Sequence, residues 1–134
     1  MIHVDTSFLV DLLRGKNNPR GVAARALLSS LGDEEIVASV YVACELAAGI
    51  ELVAAPDIER RRVAALLERV NVSYPDGRFA ATYGRLLAAL RRRGKTIAAM
   101  DLLIATAAVL DDAHLITANP RHFERVPGLA VRRY

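Results

Sequence analysis

Residues 2–13, "IHVDTSFLVDLL", change character in the middle. Ile2-His3-Val4 is short, mostly β-branched and apolar, which predicts a strand. The polarity then switches abruptly at Asp5. Thr6 or Ser7 is placed to cap a following helix, "FLVDLLRG", which Gly15 would end. A strand that turns through one polar corner into a helix is the first half of a βαβ unit.

The same alternation runs outward along the chain. "KNNPRG" (16–21) reads as a loop, followed by a helix from Val22 to about Leu31 that Gly32-Asp33 stops. "EIVAS" (35–39) predicts a second strand, with Ser39 as N-cap of the helix "VYVACELAAGIELVAA" (40–55). Pro56-Asp57 opens an Arg-rich helix to about Val70, and "VNVSY" (70–74) is a third strand candidate. The helix "RFAATYGRLLAALRRRG" ends at Gly94, and Thr96 is positioned to cap the next one, to Leu110. "HLITA" (114–118) is a fourth strand and "LAVRRY" (129–134) a fifth. Strands alternating with helices predict one α/β domain over residues 1–134. Its central, mostly parallel sheet has four to five strands, with helices on both faces.

Composition narrows the class. The 134 residues suit one domain, and the balance of apolar and charged residues excludes a disordered chain. Cys44 has no partner for an internal disulfide, which suits a reducing cytoplasm. Asp5 and Asp11 break up the N-terminal stretch, so no signal peptide is expected. The apolar run Ile97–Leu110 is too short to span a bilayer and carries an Asp. The expectation is a cytoplasmic, soluble protein with no membrane partner. Net charge is only +3, but the basic residues cluster at Arg60–Arg62, at Arg91-Arg92-Arg93 with Lys95, and at Arg132-Arg133. Such clusters bind phosphate backbones or form solvated helix faces.

The chemistry is carried by carboxylates in apolar surroundings. Within Ile97–Leu110 the only polar side chains are Asp101 and Thr106, so this helix reads as buried nearly all round. A carboxylate there needs a partner or a metal. Glu45 repeats the pattern inside "YVACELAAGI". Asp5 ends the first strand and Asn119 follows the fourth. In open α/β sheets, sites form beyond the carboxyl ends of the strands, where all four residues can meet. Three carboxylates brought together repel one another, and a divalent cation removes the repulsion. Oxygen ligands favour Mg²⁺ or Mn²⁺ over zinc. Such a cation activates water and stabilises a phosphoryl transition state.

Each of these residues also has a plainer reading. Asp5 caps the helix that follows it, Glu45 and Asp101 pair with arginines inside the fold, and Asn119 forms a turn before Pro120. Asp11 reads as a surface residue on a mainly apolar helix, and Asp111 and Asp112 as solvated. His3, His114 and His122 show no ligand spacing and read as structural. Cys44 reads as a small core residue.

Four stretches in order, "MIHVDTSFLVDLL", "ASVYVACELAAGI", "AAMDLLIATAA" and "HLITANPRHFERVPGLAV", resemble those of PIN-domain ribonucleases of the VapC-like toxin type. The resemblance covers nearly the whole chain. It implies an Mg²⁺- or Mn²⁺-dependent endoribonuclease, the toxin of a toxin–antitoxin pair. Asp5 and Asp101 would hold the metal, with Glu45 binding it directly or through water, or orienting the attacking water. A water activated there attacks phosphorus and the 3′-oxygen leaves. Asn119 stands where many relatives carry Asp, which puts a second metal in question. Thr6 and Thr117 are auxiliary candidates. Ala98, Ala105 and Ala108 would leave room for metal and phosphate. Arg91, Arg92, Arg93 and Lys95 are the RNA-binding candidates near the site mouth. The resemblance further implies a homodimer and a cognate antitoxin whose tail blocks the site. The competing reading is a PIN fold that binds RNA or a partner without cleaving, supported by the missing charge at Asn119. A small-molecule phosphatase lacks its nucleophile motif and Gly-rich loop here.

Overall fold

A computed structural model describes all residues 1–134. The elements run β1 (Ile2–Val4), α1 (Thr6–Leu13), α2 (Pro19–Ser30), β2 (Ile36–Ser39), α3 (Val40–Glu51), α4 (Pro56–Leu67), β3 (Asn71–Ser73), α5 (Phe79–Arg92), α6 (Ala99–Leu110), β4 (Leu115–Thr117), α7 (Pro120–Phe123) and β5 (Val131–Arg133). The five strands form one sheet in the order β3-β2-β1-β4-β5. Every pairing is parallel, with His3 opposite Val37 on one side and Leu115 on the other.

This order decides where the helices go. From β1 the chain steps to β2 and β3 in one direction, then returns past β1 to β4 and β5. Right-handed crossovers therefore put α1–α4 on one face and α5–α7 on the other. The packing agrees: α1 meets α2, α3 and α4, while α6 meets α5 and α7. Direction reverses between β1 and β4, which makes their carboxyl ends the switch-point crevice of the sheet. Val4, Leu115 and Ile116 from these central strands are buried with Phe8 and Leu9 of α1 and Leu102, Ala105 and Ala108 of α6.

Several local expectations change in the structure. Of the capping candidates Asp5, Thr6 and Ser7, it is Asp5 that caps α1, its side chain accepting from the Phe8 amide at 3.0 Å. Thr6 and Ser7 are already in the helix. The helix α2 starts at Pro19 rather than Val22, because Asn18 accepts from the amides of Arg20 (3.0 Å) and Gly21 (3.3 Å). The proline supplies the fixed φ of a first helical residue. Ser39 makes no capping bond, and its buried hydroxyl has no partner. The helix α3 ends at Glu51, and one face of it, including Cys44, Ala47 and Ala48, is exposed. Cys44 is thus not a core residue; small apolar side chains make a surface helix look buried. Thr96 caps nothing: α6 begins at Ala99, and the Thr96 carbonyl accepts from Arg125 instead, at 2.6 Å. Gly94 closes α5 with φ +65, a left-handed conformation that suits glycine.

Asp11 is the largest departure. It is 2 % exposed, not a surface residue. Arg14 lies 2.6 Å away and Arg20 3.7 Å, and the Tyr134 hydroxyl donates to it at 2.7 Å. The Tyr134 ring stands edge-on to Phe8 at 5.1 Å, fastening the segment after β5 against α1. Burial and the Asp11 carboxylate both push the Tyr134 phenol up from its ordinary range. His3 is structural, its Nε2 2.7 Å from Asp111, and burial lowers its pKa. Asp111 is therefore engaged rather than merely solvated.

Candidate active site

Asp5 sits where β1 ends, at the switch point, and is 5 % exposed. Its two oxygens are held separately. Oδ1 accepts from Ser7 Oγ (2.6 Å) and the Phe8 amide, and Oδ2 accepts from Thr117 Oγ1 at 2.5 Å across the β1–β4 boundary. The two hydroxyls are fixed in turn by amides of the turn after β4. Ala118 N–H donates to Ser7 Oγ at 3.0 Å and Asn119 N–H to Thr117 Oγ1 at 2.9 Å. Three partners thus define one carboxylate orientation. Burial raises the Asp5 pKa, the bonds from Ser7, Thr117 and Phe8 oppose that rise, and the charge of Asp101 adds to it.

The other two carboxylates come from helices on opposite faces of the sheet. Glu45, in the second turn of α3, is half-buried and accepts from Thr6 Oγ1 at 2.5 Å. Asp101 lies in the first turn of α6, where the helix dipole favours an anion. Its Oδ2 stands 3.1 Å from His122 Nδ1. Asp5, Glu45, Asp101 and Asn119 line one cavity of about 200 Å³, together with Thr6, Ser7 and His122 and the apolar Ile104 and Phe123. No arginine or lysine lines it, and neither Glu45 nor Asp101 pairs with an arginine anywhere. The internal ion-pair reading of these two carboxylates is therefore excluded. Thr117 lies just beneath, fully buried, and acts through Asp5.

The donor set fits a hard divalent cation: three carboxylates and an amide oxygen in a partly desolvated recess. Mutual repulsion of Asp5 and Asp101 is an unrelieved penalty that a cation offsets. In the structure as it stands, no three acidic, histidine or cysteine side chains converge into a ready-made cage.

Two further cavities open beside this one. An apolar groove of about 510 Å³ runs between α1, α3 and α4, walled by Val10, Leu13, Leu46, Ile50 and Val63, and meets the acidic cavity at Thr6 and Glu45. Arg14 and Arg62 also line it. A recess of about 340 Å³ lies on the other side, lined by Thr96, Ile97, Ala98 and Arg125 and sharing Asp101 and His122.

Sequence reading misplaced some neighbours. Ala105 and Ala108 are fully buried in the core, and Ala98 lines only the outer recess. The cavity lies on the i+3 side of Asp101, where Ile104 stands, so these alanines do not make its room. Arg91, Arg92, Arg93 and Lys95 are exposed at the end of α5 and just after it, and none lines either cavity beside Asp101. The cation that does is Arg125, which sequence reading missed together with His122 and Ser7. Ser7 was legible as part of the polar corner after β1. His122 and Arg125 flank Phe123 at a one-turn helix with no periodicity to mark them.

This geometry defines an acidic switch-point site on a five-stranded parallel sheet. The PIN domain family model matches residues 2–129, and the chain belongs to that family. Within it, the chain is similar to VapC ribonucleases. It is 36% identical over 128 residues to Ribonuclease VapC19 of Mycobacterium tuberculosis, covering 94% of each chain. It is 32% identical over 126 residues to Ribonuclease VapC1 of Haemophilus influenzae, covering 94% of this chain and 92% of that one. Among solved structures, VapBC2 from Rickettsia felis bound to a DNA fragment from its promoter superposes with a TM-score of 0.89 at 26% identity. That match covers 100% of this chain and 99% of the other.

Proposed function

We propose that this chain is a divalent-metal-dependent endoribonuclease and the toxin of a toxin–antitoxin pair. The observation that carries the reading is the cavity itself: Asp5, Glu45 and Asp101 face one space with no arginine to neutralise them. Similarity to VapC ribonucleases supports RNA as the substrate.

In this reading Asp5 and Asp101 hold Mg²⁺ or Mn²⁺, and Glu45 joins them directly or through water. When bound, the cation supplies a more acidic water and relief of the charge that builds on phosphorus. The chain's own residues do the rest. Thr117, Ser7 and the Phe8 amide keep Asp5 in one orientation, so little reorganisation accompanies the reaction. Thr6 aims Glu45, which orients the attacking water. Asn119 offers a neutral amide to the scissile phosphate without adding repulsion. The 3′-oxygen leaves as the P–O bond breaks. Arg125 in the adjoining recess, with Arg91, Arg92, Arg93 and Lys95 further out, draws the RNA backbone in.

An antitoxin segment with apolar side chains fits the groove between α1, α3 and α4, and its course leads to Glu45 and the site. The resemblance to VapC-like toxins is the support for a cytoplasmic homodimer as the functional form. The test is direct. Purified protein should cleave total RNA with Mg²⁺ or Mn²⁺ and stop in EDTA. Cleavage undiminished in both Asp5→Asn and Asp101→Asn removes the site assignment. RNA binding with no cleavage under any divalent ion favours the binding-module reading. Growth arrest on expression, relieved by the neighbouring gene product, tests the toxin role.

A further inference from the structure

We infer that His122 is a nitrogen ligand of the metal site, so that the site has mixed nitrogen and oxygen donors and selects Mn²⁺ over Mg²⁺. The inference rests on the reading of the acidic cavity given above, and its test separates the two.

The position of the ring is built, not incidental. The helix α7 is one turn long, and its last residue, Phe123, is buried at 2 % exposure beside the core. That anchor fixes the residue before it against α6. The His122 ring therefore lines both the acidic cavity and the outer recess, and Asp101 is the one side chain it bonds. Its side chain is 59% exposed, so an ion arriving from solvent reaches it unobstructed.

The spacing suits shared coordination. Adjacent ligand atoms on an octahedral ion with bonds of about 2.1 Å stand roughly 3 Å apart. Asp101 Oδ2 and His122 Nδ1 stand 3.1 Å apart. A cation held by both atoms would replace the hydrogen bond between them. The ring must then be neutral with its lone pair on Nδ1, leaving the proton on Nε2.

The chemical consequence is selectivity. Mg²⁺ keeps to oxygen donors, whereas imidazole suits Mn²⁺ less grudgingly and the later transition ions well. An all-oxygen cavity would discriminate weakly between Mg²⁺ and Mn²⁺. Adding one imidazole favours Mn²⁺.

The experiment uses tag-free, full-length protein without RNA, and binding rather than cleavage is read. Mn²⁺ and Mg²⁺ affinities are measured by titration calorimetry, and pulsed EPR on the Mn²⁺ complex detects ¹⁴N coupling. The expected result is ¹⁴N modulation in the wild type and in His114→Ala, and none in His122→Ala. The ratio of Mg²⁺ to Mn²⁺ dissociation constants should fall about tenfold in His122→Ala. Circular dichroism should show His122→Ala as folded as the wild type, because the ring is exposed. Mn²⁺ binding that depends on Asp5 and Asp101 but shows no nitrogen coupling, or an unchanged ratio, overturns the inference and leaves the acidic site standing. Mn²⁺ binding that survives Asp5→Asn and Asp101→Asn, or no Mn²⁺ binding at all, overturns both.

Discussion

Asp5 and Asp11 are six residues apart, at and within the same helix, and both are almost wholly buried. Their surroundings differ in kind. Asp11 is met by the guanidinium of Arg14, by Arg20 further off, and by the Tyr134 hydroxyl. Asp5 is met only by hydroxyls and an amide, and faces a second carboxylate, Asp101, across the cavity. A buried carboxylate with its own cations is finished as a structural unit. One held by neutral donors beside like charges is oriented but not neutralised. The first kind locks an element in place, and the second is ready for a cation from outside.

The sharpest way to break this contrast is to remove each charge in turn. Asp5→Asn and Asp101→Asn should each cost at least about a hundredfold in RNA cleavage, while thermal melting shows no loss of stability. Asp11→Asn should do the reverse. It should lower stability by about 1–3 kcal/mol, read from urea denaturation, with cleavage by the folded fraction largely kept. Equal effects of Asp5→Asn and Asp11→Asn on both measurements would erase the distinction.

Next in size is the buried bond that orients Asp5. Thr117→Val keeps the shape and removes the hydroxyl, and divalent-ion affinity should fall about 10–100-fold, measured by calorimetry. Thr6→Val, which frees the half-buried Glu45, should have the smaller effect of the two.

The pH dependence in EDTA tests the same idea without metal. Burial raises the Asp5 pKa above its ordinary 3.8, so the folded state keeps a proton that the unfolded chain has lost. The contribution of Asp5 to metal-free stability should therefore be fully present below that value and decline as pH rises through the folded pKa. Asp5→Asn should flatten this decline in the urea midpoint. The smallest expected effect is electrostatic. Arg92→Ala with Arg93→Ala should weaken RNA binding and reduce its salt slope by up to about 2, measured by fluorescence anisotropy.

Much of the fold was legible because β-branched runs and polar corners mark strand ends plainly. The parallel sheet, its five strands and the two layers of helices follow from that alternation. The misreadings have physical causes. Asn18-Pro19 looks like a loop but is a cap and a first helical residue. Cys44, Ala47 and Ala48 count as apolar yet are too small to demand burial. Of the partners of Asp11, Arg14 stands three residues on, but Arg20 and Tyr134 reach it only through the tertiary fold. The acidic residues of the site stood out because each is a lone charge in an apolar segment. His122 and Arg125 lie among polar residues, and only the packing of Phe123 brings them to the cavity.

The bond from Thr117 to Asp5 spans 112 residues of chain. Its consequence belongs to biosynthesis. β1 leaves the ribosome well before β4, its neighbour in the sheet. At about 5–20 residues per second, the interval is on the order of 10 s. Throughout it Asp5 lacks Thr117, and Asp101 and its helix arrive only near the end. A nascent chain thus carries no assembled cavity until β4 has emerged and Thr117 can reach Asp5.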